Sequence, residues 1–137
     1  MEAKFLSAAC ERGIPVAKPW GESKPYDFIV EMEGTFLRIQ VKSTRCLRRN
    51  GNGNGYTCSV RGKKPYACGM FDFVAAYVIP VDVWYILPSK VAVTGTNSQI
   101  TLSPGNRGHK YEPYMEAWHL LLPTDKNSEV GDSATEL

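Results

Sequence analysis

The chain has 137 residues, 43% of them hydrophobic, 11% aromatic and 22% charged, with a formal net charge of +2. That length and apolar content suffice for one globular domain whose single core needs neither metal nor disulfide staples. No run approaches the roughly 20 apolar residues of a membrane-spanning helix, and the four cysteines (Cys10, Cys46, Cys58, Cys68), separated by 35, 11 and 9 residues, lack CxxC or close Cys/His spacing, which argues against a membrane protein and a structural zinc module.

In chain order, residues 2–12 place Phe5, Leu6, Ala9 and Cys10 on one helical stripe, and Gly13 ends it. Residues 26–32 and 35–42 alternate as two strands around a tight turn at Glu33-Gly34. The run "RNGNGNG" at 49–55 predicts a loop that orders only with a partner. "FDFVAAYVIP" (71–80) and "VWYILP" (83–88) read as interior strands, with Tyr77, Trp84 and Tyr85 in the core. "KYEPYMEAWHLLL" (110–122) spaces Tyr111, Tyr114, Met115, Trp118 and Leu122 as a helix with Pro113 in its first turn. The stretch 123–137 is nearly devoid of apolar residues and predicts a disordered tail behind a domain of 1–122. The cysteine pattern predicts free thiols in a reducing compartment, and the whole a cytoplasmic protein with no membrane partner.

The hairpin carries the chemistry. A two-residue turn at Glu33-Gly34 makes strand partners sum to 67, so Val30 faces Leu37, Phe28 faces Ile39 and Asp27 faces Gln40. One face is then apolar, and the other holds Asp27, Ile29, Glu31, Phe36, Arg38, Gln40 and Lys42. A bulge would shift this register and spoil the face assignment. Converging carboxylate, amide and ammonium groups at Asp27, Gln40 and Lys42 fit phosphodiester hydrolysis: a hard cation takes oxygen ligands, and a lysine orients water and balances phosphate charge. The competing reading is a polar cross-strand pair on a solvated sheet face.

A second feature is the distribution of charge. From Lys42 to Phe71 there are seven basic residues and no acidic one. Such a segment is either an electrostatic footprint for a polyanion or a solvated basic loop.

The order "YD" on one strand and "QVK" on the next resembles the PD-(D/E)xK nuclease superfamily. Together with "EAKFLSAACERG", "VAKPWGESKPYDFIV", "LRIQVKST", "FDFVAAYVIPVDVWYILP" and "KYEPYMEAWHLL", it is similar to the branch of group I intron-encoded homing endonucleases, with likeness to archaeal Holliday junction resolvases, over residues 2 to about 122. The resemblance implies an α/β fold with a restriction-endonuclease-like core: a mixed central β-sheet flanked by helices. It implies a Mg2+-dependent DNA endonuclease, with Mn2+ as substitute, acting on DNA as a homo-oligomer (dimer or tetramer). The alternatives are a DNA-binding protein that kept the fold without the chemistry, and an interaction protein.

Carried over by position, the resemblance implies that Asp27 is the central metal ligand and that Lys42 is the catalytic lysine. Glu2 matches the glutamate of the first helix, or else is a residue favoured by the helix dipole. Gln40 replaces the usual acidic residue: its amide oxygen can bind Mg2+ but brings no charge, which lowers affinity and favours one metal over two. Ser23 matches a serine of resolvase-like members that binds phosphate or water, or is a loop serine. Given this family, Arg45, Arg48, Arg49, Arg61, Lys63 and Lys64 become candidate phosphate contacts. Glu31, Arg38, His109 and His119 carry no distinctive signal, and Asp72, between two phenylalanines, predicts a buried polar contact.

Overall fold

In this computed structural model the described residues are 1–21, 24–50, 53–60, 69–95 and 97–122, with backbone alone for 49, 50, 53 and 54. Ser23, Arg61, Lys63, Lys64, Cys68 and the 123–137 tail lie outside them.

The chain opens with helix α1 (Glu2–Glu11) and strands β1 (Val16–Ala17), β2 (Phe28–Met32) and β3 (Thr35–Thr44). A second hairpin, β4 (Leu47–Asn50) and β5 (Gly53–Ser59), precedes β6 (Phe73–Val78) and β7 (Val83–Pro88), followed by α2 (Ser89–Ala92) and β8 (Gln99–Leu102). Five strands form one mixed sheet in the order β1-β2-β3-β6-β7, and β4-β5-β8 form a second. Only β3 and β6 run parallel in the larger sheet. A parallel pair needs a long crossover, and the β4–β5 hairpin lies within it.

The β2–β3 turn has positive φ at Glu33 (44°) and at Gly34 (87°), as a type I′ hairpin turn requires. The predicted register holds from Met32↔Thr35 to Phe28↔Ile39. It stops one residue early: the Asp27 N–H donates to the Ile39 carbonyl at 2.8 Å, so Asp27 and Phe28 share one partner in the manner of a bulge. The expected pairing of Asp27 with Gln40 is corrected accordingly.

β6 and β7 are buried on both faces, as the apolar runs predicted. Ala75, Tyr77, Trp84 and Ile86 meet Phe5 and Ala9 of α1, Phe28, Val30 and Ile39 in one core. Val74, Ala76, Val78, Tyr85 and Leu87 meet Cys58, Ile100 and Leu102 of the smaller sheet in the other. Phe5 is the hub of the first core, with Phe28, Trp84 and Trp118 at ring-centroid distances of 5.4, 5.7 and 5.7 Å. The helical stripe is narrower than predicted, since Leu6 and Cys10 are exposed.

Two expectations are overturned. Residues 110–122 form two short 3₁₀ turns, Glu112–Tyr114 and Trp118–Leu121, in place of a helix. Pro113 removes an amide donor, Met115 is extended and bridges to Tyr85, and Glu116 sits at φ 52°. In the stretch 49–55, the described residues 49, 50 and 53–55 are paired strand in place of a loop, with Arg48↔Gly55, Arg49↔Asn54 and Asn50↔Gly53. Gly55 serves packing: a Cβ there would come within 2.5 Å of Thr101 Cγ2 on β8.

Candidate active site

The site begins where β2 gives way to Asp27. The hairpin register would offer the Val41 N–H to the carbonyl of residue 26; instead that N–H donates to Asp27 Oδ2 at 2.7 Å. The carboxylate therefore lies against the peptide joining Gln40 to Val41, held by the strand that carries Gln40 and Lys42.

Burial pushes the Asp27 carboxyl above its ordinary value of 3.8. The Val41 hydrogen bond opposes that rise, the nearby Glu2 carboxylate adds to it, and Lys42 and Lys18 oppose it. Asp27 thus senses the charges of Glu2, Lys42 and Lys18, although 24 residues separate the two carboxylates in sequence. Glu2 is placed by Phe5 three residues on, which anchors α1 in the aromatic core. Its Oε1 lies 3.5 Å from Lys18 Nζ.

A cleft of about 280 Å³ opens here, lined by Glu2, Lys18, Lys24, Tyr26 and Asp27 among others. Gln40 and Lys42 do not line it. Lys42 is partly buried and is close enough to Cys58 to oppose the rise of that thiol, which burial pushes up to about 11. Gln40 is 5% exposed. Its Oε1 has no hydrogen-bond partner among the described residues. That burial removes Gln40 from the solvated polar face of the competing reading.

Lys18 is the residue that sequence reasoning missed. It lies in a loop nine positions before Asp27, directly after β1, whose antiparallel pairing Ala17↔Ile29 with β2 brings it beside Asp27. Arg38 and Asp72 are structural: the Arg38 backbone N–H, Nε and Nη2 all donate to the Asp72 carboxylate, at 2.7, 3.1 and 3.3 Å. Glu31 is exposed on β2. His109 accepts from the Tyr111 N–H at 3.4 Å and does not line this cleft. A larger cleft of about 760 Å³, lined by Lys4, Ser7, Arg12, Asp82 and Glu116 among others, contains none of the predicted site residues.

Of the candidate phosphate contacts, Arg45 and Arg48 are exposed at the start of the second sheet. Arg49 is placed by its backbone on β4. Cys10, Cys46 and Cys58 are free thiols. No helix among the described residues is long and apolar enough to cross a membrane.

An unpartnered buried amide oxygen, and an Asp27 carboxylate whose ionisation burial and the Glu2 charge disfavour, are donors suited to a hard cation. Among the described residues no group of three or more His, Cys, Asp or Glu side chains converges as a metal site.

The PD-(D/E)XK endonuclease family model matches residues 1–121. A structure titled as that of a bacterial homing endonuclease, I-Ssp6803I, is similar at a TM-score of 0.71 and 29% identity, covering 88% of this chain and 86% of that one. No curated protein matches. The mixed five-stranded sheet is accordingly the restriction-endonuclease-like core, and family members in general use divalent metal ions. The chain belongs to the PD-(D/E)XK endonuclease family.

Proposed function

We propose that residues 1–122 form a Mg2+-dependent endodeoxyribonuclease, with Mn2+ as substitute, of the homing-endonuclease or junction-resolvase kind. The observation that supports it most is the half-buried Asp27 carboxylate, oriented by Val41 and coupled to Glu2, Lys42 and Lys18. Asp27 and Glu2 would hold the ion, with Gln40 Oε1 as a neutral third oxygen. When bound, such an ion polarises the phosphate and lowers the pKa of water.

The chain's own groups do the rest. Asp27 is pre-aimed by its hydrogen bond, so little ordering remains when substrate arrives. Lys42 supplies positive charge beside the scissile phosphate and orients the attacking water. Water oxygen adds to phosphorus, releasing a proton to solvent, as the bond to the leaving oxygen breaks, and that oxygen takes up a proton from solvent. Arg45, Arg48, Arg49, Arg61, Lys63 and Lys64 line the backbone of bound DNA, and cleavage of both strands calls for a homo-oligomer. Ser23 adds a contact to phosphate or water.

Calorimetric titration with Mg2+ and Mn2+ tests the ligand set. The parent protein binds each ion, and Asp27→Ala abolishes binding. An unchanged titration in Asp27→Ala removes the site assignment.

A further inference from the structure

Trp20 is 101% exposed. A tryptophan carries the largest apolar surface of any side chain, and leaving all of it in water forgoes its burial energy. The other two tryptophans, Trp84 and Trp118, are 4% and 5% exposed in the aromatic core. Trp20 thus stands apart, and its position gives the reason. Its neighbours Pro19 and Gly21 both line the Asp27 cleft, as do Lys18 and Lys24 from the same loop. The chain bends at Trp20 and Gly21. Pro19 has its φ fixed by its ring, and Gly21 sits at φ 112°, which L side chains rarely adopt. The loop is tied to α1 through the Lys18–Glu2 pair.

A fully exposed indole, flanked by lysines at the rim of the proposed phosphodiester-cleaving site, has the composition of a nucleobase-stacking contact: the cations meet the backbone and the ring meets a base face. We infer that Trp20 stacks on a nucleobase next to the scissile phosphate, positioning the strand over Asp27. The inference rests on the nuclease reading above and adds a residue to it. It also assigns the substrate a requirement, an unstacked or unstackable base at the cut, which a junction, a nick or a kinked duplex step provides.

Because the other tryptophans are buried, solvent-exposed indole emission reports Trp20 alone. The test uses the full chain without divalent metal, titrated with fluorescein-labelled four-way junction and linear duplex, reading DNA anisotropy and tryptophan emission together. DNA is expected to shift Trp20 emission and shield it from acrylamide. Trp20→Ala weakens junction binding by about 5- to 100-fold, the loss of one stacked base, and leaves the salt slope unchanged because no charge is removed. Trp20→Phe restores most of the affinity, and neither variant melts at a different temperature. Affinity within twofold of the parent in Trp20→Ala, with parental binding intact, overturns the Trp20 assignment and spares the nuclease reading. Absence of anisotropy change with any DNA overturns both. Emission that responds to protein concentration and not to DNA overturns the assignment in favour of contact with a second copy.

Discussion

The Val41 N–H donates to the Asp27 carboxylate at 2.7 Å, taking as its acceptor a side chain where the hairpin would otherwise supply backbone. A bulge that ends strand pairing thereby aims the acid of the site, and local structure and candidate chemistry meet in one hydrogen bond.

The cost of that arrangement is readable in stability. Burial, reinforced by Glu2 and opposed by Val41, holds the folded-state pKa of Asp27 above 3.8. The fold therefore favours the protonated acid: its stability is intact below the unfolded pKa and declines as pH rises through the folded pKa. Asp27→Asn is predicted to raise the Tm of metal-free protein at neutral pH, with the gain vanishing towards pH 3. Thermal melts from pH 3 to 8 in EDTA check this; a lower Tm for Asp27→Asn at pH 7 contradicts it.

Gln40→Glu adds the charge that the family pattern usually has. In a position 5% exposed, a second ionised group without a cation is costly, so the variant melts below the parent in EDTA. Mg2+ then raises its Tm more than the parent's. At ten times Kd the gain is about 1.4 kcal/mol, a shift of roughly 4–6 °C. Equal Mg2+ shifts in parent and variant exclude Gln40 as a ligand.

Arg38 and Asp72 form the clasp between β3 and the start of β6. Burial raises the Asp72 carboxyl, and the Arg38 hydrogen bonds and charge outweigh it, leaving the pKa below 3.8. The stabilisation is therefore present above the unfolded pKa and lost as pH falls through the folded pKa. Since both side chains are about a third exposed, Asp72→Asn is expected to cost about 1–2 kcal/mol at pH 7, measured by urea unfolding, and less at pH 3.

Much of this was legible in the sequence. Period-two apolar residues fixed the β2–β3 register because one face had to be core, and the unbroken runs at 73–78 and 83–88 announced strands buried on both sides. The 110–122 helix failed because helical spacing of apolar residues says nothing of backbone at Pro113, Met115 and Glu116. The glycines at 49–55 looked like flexibility, whereas Gly55 answers to a close approach by Thr101, a long-range fact. Of the candidate site, Asp27 and Lys42 were singled out through pattern and resemblance. The Val41 contact was hidden by the bulge, and Lys18 by the pairing of the two-residue strand β1 with β2, too short to read from the pattern.

Arg48 and Arg49 stand on the backbone of a paired strand. Replacing both with alanine is predicted to weaken DNA binding and to lower the salt slope by about 1.8, near 0.9 per phosphate contact. Anisotropy titrations from 50 to 300 mM salt measure it, and an unchanged slope removes these arginines from the DNA path.

The central claim is met most directly by cleavage of supercoiled plasmid, linear duplex and a four-way junction, in Mg2+ and then Mn2+ at low salt, by the parent, Asp27→Ala and Lys42→Ala proteins. The prediction is metal-dependent cleavage by the parent that both substitutions abolish. Cleavage that survives Asp27→Ala, or a parent that binds these DNAs and cuts none of them in either metal, contradicts it.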